Sequence, residues 1–275
     1  MKKLLIFLLI LFPFTLFSQS STEWFASDLN IQPFTANFLE PRTGFMFALE
    51  ENQLQLNIGT SRDVVQLKSG KENISIGADF FTFTRLRSES SFKFPVETID
   101  YLFGVNAGYK LIDSTKEIGV RFRFIHISAH LVDGRFDEKL KEWIEERNPI
   151  TFSKEFIELF PYYRINGFRI YLGLTYIVSI TPSIIDKGIY QLGFDYYVLQ
   201  LSSDLVTPFV AYDFKLSGIN GVYSGNNIIK AGVKFGKPLA RGFSILFAYF
   251  SGKSVHGEFF DLNENYFSIG FNLDL

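Results

Sequence analysis

A histidine and a serine two residues apart carry the clearest chemistry in this sequence. Residues 119–131 read GVRFRFIHISAHL, and alternate side chains along a β-strand point to opposite faces. His126 and Ser128 therefore share one face of a strand. There an imidazole can take the proton from a hydroxyl while its oxygen attacks an ester carbonyl. The pattern predicts a hydrolase site with Ser128 as the nucleophile and His126 as the base.

A histidine base needs a third group that orients its ring. The loop after the strand offers Asp133, Asp137 and Glu138, and the next strand offers Glu155 and Glu158. We take Asp133 and Glu155 as catalytic candidates, and the sequence leaves the choice between them open. An oxyanion donor would complete the arrangement.

Four further residues are candidates for binding. His130 continues the face of His126, and His256 stands in a late loop, where it either approaches His126 or is a solvated loop residue. Arg121 and Arg123 occupy the opposite face of the strand.

Alternation of apolar and polar residues recurs from Thr43 to the end of the chain. About twelve such segments are present, each close to the roughly 9–11 residues that a tilted membrane strand requires. The polar parity is rich in Gly, Asn, Gln and Thr, and aromatic residues cluster near the strand ends. This favours a polar lumen with aromatic girdles over a β-sandwich or a soluble barrel. The sequence predicts an all-β fold: a transmembrane, antiparallel, up-and-down β-barrel of about twelve strands.

Connection lengths predict the orientation of the barrel, because outer loops are long and periplasmic turns are short. The long connections are 85–98, 131–151 and 251–265, and the short ones are 113–116, 166–167 and 237–241. His126 and Ser128 are then expected near the outer leaflet, where polar side chains are also ordinary interfacial residues. In the lumen, mixed charges predict a salt-bridged plug or, as the alternative, a small selective channel. The spacing of Leu140, Trp143 and Ile144 predicts a short amphipathic helix, with a solvated loop as the alternative.

The N-terminus has the pattern of a secretory signal peptide, with two lysines, an apolar run and a small residue. We predict a cleaved signal peptide at 1–18, an N-terminal periplasmic arm at 19–42 and the barrel at 43–275, located in the outer membrane. The chain has no cysteine, which excludes disulfides and thiolate sites. A net charge of −2 gives no indication of a nucleic-acid partner. The expected partners are outer-membrane lipid and the outer-membrane insertion machinery.

Two resemblances extend this interpretation. FIHISAH, residues 124–130, resembles the local His-x-Ser pattern of outer membrane phospholipase A and of lipid A deacylases, which are lipid-facing barrel hydrolases. That resemblance implies His126 as base and Ser128 as nucleophile, no cofactor, and calcium only if the phospholipase interpretation holds. Three longer pieces, 33–45, 122–136 and 249–260, resemble an uncharacterised family of bacterial outer-membrane proteins with a domain of unknown function. The second resemblance implies export and a barrel, and leaves the main functional prediction as a structural or small-solute role.

Overall fold

The protein is described from a computed structural model, which covers residues 20–203 and 205–274. The predicted signal peptide lies outside these residues. Within them, no helix has the length and apolarity to cross a bilayer. The fifteen strands are β1 Ser20–Trp24, β2 Thr43–Ala48, β3 Gln53–Ser69, β4 Glu72–Arg87, β5 Val96–Asp113, β6 Lys116–Leu131, β7 Phe136–Asp137, β8 Glu142–Trp143, β9 Phe152–Ile165, β10 Phe168–Thr181, β11 Gly188–Tyr197, β12 Val206–Ile219, β13 Val222–Phe235, β14 Gly242–Lys253 and β15 Asn263–Asp274. Four 3-10 turns span Asp133–Arg135, Ile144–Glu146, Leu199–Leu201 and Gly257–Phe259.

Twelve of these strands close into one antiparallel barrel. β2 to β6 and β9 to β15 pair in chain order, and β15 pairs with β2 to complete the ring. β1 adds one extra strand along the far end of β3, and β7 pairs with β8 in a separate small hairpin. The predicted all-β, up-and-down barrel of about twelve strands is therefore confirmed.

The two rims of the barrel differ in the length of their connections. At one rim, which we name the short-turn rim, three connections consist of only two residues each: 70–71, 114–115 and 166–167. The opposite rim, named the long-loop rim, carries the connections 88–95, 132–151 and 254–262. One tight turn, Asn220–Gly221, also lies at the long-loop rim, and both its residues have positive φ. β6 runs from the short-turn rim to the long-loop rim.

The outward and inward faces of β6 follow the predicted parity. Phe122 and Phe124 point outward and are 41% and 42% exposed, whereas Arg121 and Arg123 are buried inside. β6 pairs with β5 at every position without a register shift, so the parity is not inverted at any point. The exterior therefore presents an apolar band, as a surface facing lipid hydrocarbon requires.

The N-terminal arm fills the short-turn half of the barrel. Residues 25–42, named the plug, contact inward-facing groups from strands all around the wall. Arg169 donates to the carbonyl oxygens of Gln32 and Pro33, and Lys230 donates to that of Thr35. Residues 25–42 of the arm that we expected in the periplasm thus lie in the lumen, where their backbone carbonyl groups find donors on the inner wall.

Glu40 anchors the plug near mid-barrel. Its carboxylate accepts from Arg121 Nη1 at 2.8 Å and lies 3.9 Å from Arg123 Nη1. Arg123 also pairs with Glu158, so that two guanidinium groups and two carboxylates form one buried network. The prediction of a salt-bridged interior agrees with this arrangement.

Above Glu40, toward the long-loop rim, the lumen becomes apolar. Phe38 of the plug packs against Phe83 with ring centroids 4.5 Å apart. Inward-facing residues of neighbouring strands extend this cluster, among them Phe81, Leu102, Ile125 and Phe156. A uniformly polar lumen, as expected from the alternation, is therefore wrong for this half.

The loop after β6 forms a hairpin where the sequence suggested a helix. Phe136 and Trp143 stack across it with ring centroids 5.4 Å apart. Lys141 and Glu145 both have positive φ, which interrupts any helical turn. The predicted amphipathic helix is wrong, because aromatic pairing across the hairpin competes with a helix that is marginal at this length.

Candidate functional site

His126 and Glu155 form a hydrogen-bonded pair on the outer wall of the barrel. His126 Nδ1 lies 2.8 Å from Glu155 Oε1. The two residues are direct cross-strand partners on β6 and β9, which brings their side chains to the same side of the sheet. Their side chains are 27% and 31% exposed. The contact engages Nδ1 and leaves Nε2 as the nitrogen that can exchange a proton with another group.

Ser128 stands next to this pair on the same outward face. Its cross-strand neighbours are Ser153 on β9 and Tyr101 on β5. No hydrogen bond joins Ser128 to His126 within the described residues, because positions two apart on a strand are about 7 Å apart along it. In catalytic sites generally, contacts of this kind often tighten only when substrate binds.

Among the predicted orienting carboxylates, Glu155 is the one that contacts His126. Asp133 begins the 3-10 turn beyond the end of β6 and is exposed. Asp137 accepts backbone N–H groups within its own loop, and Glu138 pairs with Lys141. Glu158 points into the lumen. Glu155 and Glu158 have opposite parity on β9, so Glu155 points outward toward His126 whereas Glu158 points into the lumen.

The four predicted binding residues are distributed over both faces of the wall. His130 is outward and exposed, with its ring 6.0 Å from that of Tyr101. Arg121 and Arg123 face the lumen and belong to the network around Glu40. His256 is buried inside, where Nδ1 lies 2.7 Å from Asp100 Oδ2. The barrel wall thus separates His256 from His126, and His256 is not a solvated loop residue.

Two serines near the site were not singled out from the sequence. Ser153 opposes Ser128, and Ser179 on β10 opposes Glu155. A register shift between Ile177 and Ser179 marks a bulge there, which turns Ser179 outward. The alternation along β9 predicts that Ser153 points outward, whereas the alternation along β10 does not indicate the bulge before Ser179.

No group of three or more His, Cys, Asp or Glu side chains within residues 20–203 and 205–274 is arranged to hold a metal ion. Calcium therefore stays a prediction tied to the phospholipase resemblance.

Comparison with known families assigns the chain to an uncharacterised group. Residues 69–274 match the family described as "Protein of unknown function (DUF1207)". The chain belongs to this family. The match includes β6, β9 and thus every residue of the His126 site. No curated protein matches the chain.

Solved structures with a similar fold are outer-membrane barrels. Outer membrane phospholipase A from Escherichia coli has a TM-score of 0.55 at 14% identity, covering 90% of this chain and 95% of that one. An active-site mutant of the same enzyme at pH 6.1 has a TM-score of 0.58 at 12% identity, with the same coverage. The outer membrane protein OprD from Pseudomonas aeruginosa has a TM-score of 0.36 at 9% identity, covering 91% of this chain and 97% of that one. The chain has the fold of an outer-membrane β-barrel protein.

Proposed function

We propose that the protein is a serine-dependent lipid acyl hydrolase of the outer membrane, acting at the outer leaflet. The observation that carries the proposal is the 2.8 Å contact between His126 Nδ1 and Glu155 Oε1 on the exterior, with Ser128 beside it on the same face. A nucleophile, a base and an orienting carboxylate are the three parts that acyl transfer through a serine requires.

In this mechanism Ser128 Oγ attacks the carbonyl carbon of an acyl ester while His126 Nε2 accepts the hydroxyl proton. Glu155 holds the ring in the required tautomer and stabilises the imidazolium that forms. His126 then returns the proton to the departing alcohol, which leaves an acyl-serine. Water, deprotonated by the same histidine, attacks the acyl-serine; the bond to Ser128 Oγ breaks, His126 returns the proton to that oxygen, and a fatty acid is released.

The surroundings of the site suit a lipid substrate. Phe103 lies beside His126 with ring centroids 4.8 Å apart, and Tyr101 flanks Ser128. Below them the exposed side chains of Val105 and Phe124 continue the apolar band. An acyl chain can lie along this band while its ester group reaches the polar side chains near the long-loop rim.

The fold supports the proposal in two ways. First, two of the solved barrels with a similar fold are a phospholipase and its mutant, in which an active-site asparagine is replaced by alanine. The likeness itself extends only to the fold. Second, the plug and its network around Glu40 occupy the short-turn half of the lumen, which weighs against the small-solute channel considered from the sequence.

The decisive experiment compares the purified protein with Ser128→Ala in detergent micelles that contain phospholipid or lipid A. We expect Ser128→Ala to reduce fatty-acid release by at least ~10³-fold, because the nucleophile is lost. Ser153→Ala is the matched control, since it removes a neighbouring outward hydroxyl on β9 and should retain activity. Equal release by Ser128→Ala and the unmodified protein, or no release from either lipid, contradicts the proposal.

A further inference from the structure

A cavity of about 120 Å³ lies inside the barrel, on the opposite side of the wall from the proposed hydrolase site. We name it the lumen cavity. Phe38 and Leu39 of the plug form its floor, and Val255, His256 and Phe260 of the β14–β15 loop form its roof. It therefore occupies the space that the plug leaves open below the long-loop rim.

The lining of the lumen cavity carries an excess of positive charge. Three lysines, Lys154, Lys215 and Lys253, line it, against a single carboxylate, Glu158. That carboxylate is already engaged by Arg123, whose Nε lies 2.9 Å from Glu158 Oε2. Within the described residues, neither Lys154 nor Lys215 has a carboxylate oxygen within the 4.0 Å that defines an ion pair. Two ammonium groups without carboxylate partners in one cavity attract an anion.

Most of the remaining lining is apolar and partly aromatic, with Thr175, Ser217, Asn226, Ser254 and His256 as its polar members. The Nζ atom of Lys154 lies 5.2 Å from the ring centroid of Phe156, and Ile185 and Ile189 cover another side. A wholly apolar cavity of about 150 Å³ accommodates benzene; the lumen cavity, at about 120 Å³, is of the same order and suits a single small ring or a short alkyl chain. A purely inorganic anion would leave this apolar surface without a partner.

We propose that the lumen cavity binds a small amphiphilic monocarboxylate, with an aromatic ring or a short alkyl chain. Its carboxylate lies between Lys154 and Lys215, and its apolar part packs against the phenylalanine and isoleucine side chains. This site is independent of the hydrolase proposal, because it lies within the lumen and uses none of the groups on the outer wall.

Calorimetric titration of the full barrel in detergent tests the proposal, with benzoate and hexanoate as probes. Benzyl alcohol and hexanol have the same apolar parts without the charge, and inorganic phosphate has charge without the apolar part. We expect both carboxylates to bind about tenfold more tightly than the matching alcohols, which lack the charge-assisted contact, and about tenfold more tightly than phosphate, which lacks the apolar contact. Equal affinity for carboxylate and alcohol, tightest binding of phosphate, or no binding of either carboxylate overturns it.

Variants then locate the site. Lys154→Met and Lys215→Met should each weaken benzoate binding by about tenfold, whereas Lys139→Met, in the exposed loop after β6, should not. Ile189→Trp keeps both lysines and fills the cavity, so it should abolish binding even if a lysine variant folds poorly. The difference in gel mobility between an unheated sample and a heated, unfolded sample reports whether each variant has folded. Unchanged affinity in a folded Ile189→Trp protein contradicts the assignment.

Discussion

Two histidine–carboxylate pairs lie on opposite faces of the same stretch of barrel wall. His126 Nδ1 and Glu155 Oε1 are 2.8 Å apart on the outside, and His256 Nδ1 and Asp100 Oδ2 are 2.7 Å apart on the inside. Asp100 is the cross-strand partner of Ala129, the residue after Ser128. Only the thickness of one sheet therefore separates the two pairs.

The pairs differ in access and in what stands beside them. The His126 side chain is 27% exposed, with a free hydroxyl next to it, whereas the His256 side chain is 5% exposed. The second oxygen of Asp100 accepts the N–H of Gly257 at 2.8 Å, which fixes the β14–β15 loop to the wall. Contact geometry alone thus does not distinguish a reactive pair from a structural one. Under the hydrolase proposal, exposure and the adjacent hydroxyl of Ser128 distinguish the outer pair from the inner one.

The largest expected effect separates the two histidines. Under the hydrolase proposal, His126→Ala should lower kcat for lipid hydrolysis by roughly 10³-fold, because a general base contributes about that much. His256→Ala should change kcat by less than about threefold, since it acts at a separate site. Rates of fatty-acid release from the two folded variants test this difference. A similar loss of activity in both variants would contradict a catalytic role for His126 that His256 does not share.

A smaller effect is expected at the orienting carboxylate. Glu155→Ala should reduce kcat by about 10²-fold, because the ring loses the group that fixes its tautomer. Glu155→Gln keeps a hydrogen-bond acceptor and should retain more activity than Glu155→Ala. The pH profile of kcat provides the second measurement. If both variants keep the rate and pH profile of the unmodified protein, Glu155 is an interfacial residue only.

Disrupting the inner pair should affect stability instead of turnover. His256→Leu leaves the buried carboxylate of Asp100 without its ring partner and should lower the free energy of unfolding by about 1–3 kcal/mol. The midpoint of unfolding in urea, measured in detergent, reports this change. His126→Leu serves as the control, because its site is partly exposed and Glu155 can be solvated there. Equal destabilisation by both would show that exposure does not separate the pairs.

The smallest effect concerns pH and the loop that holds the inner pair. Burial raises the pKa of Glu258 above its ordinary value of 4.5, and the N–H groups of Ile150 and Leu131 offset this only in part. The Glu258 carboxyl group therefore binds a proton more tightly in the folded state than in the unfolded chain. The contribution to stability is therefore greatest below pH 4.5 and declines as pH rises through the raised pKa. Glu258→Gln should flatten this part of the profile of melting temperature against pH, and an unchanged slope would contradict it.

The sequence predicts the wall well, because alternation is a property of each strand by itself. Phe122 and Arg121 could be assigned to opposite faces from parity alone, and so could Glu155 and Glu158. The same reasoning placed His126 and Ser128 on one face of β6, but it did not select Glu155 among the candidate carboxylates. The register in which β6 pairs with β9 places Glu155 opposite His126.

The interior was harder to predict, because irregular segments carry no period. Residues 25–42 enter the lumen through contacts that are distant in sequence, such as that of Glu40 with Arg121, 81 positions away. His256 meets Asp100 across 156 positions, and nothing in the local sequence of the loop indicates it. The helix predicted around Trp143 is wrong for a related reason. Trp143 contacts Phe136 only in the folded hairpin, so the periodicity of the local sequence does not indicate this contact.

The position of the plug in the chain constrains how the barrel is assembled. The plug ends at residue 42, and β2 begins at Thr43 and hydrogen-bonds to β15, which closes the barrel. The plug is thus covalently continuous with β2, one of the two strands whose pairing closes the barrel. Pairing of β2 with β15 and enclosure of the plug are therefore geometrically coupled, because residue 42 is held at the wall once Thr43 is paired with Leu273.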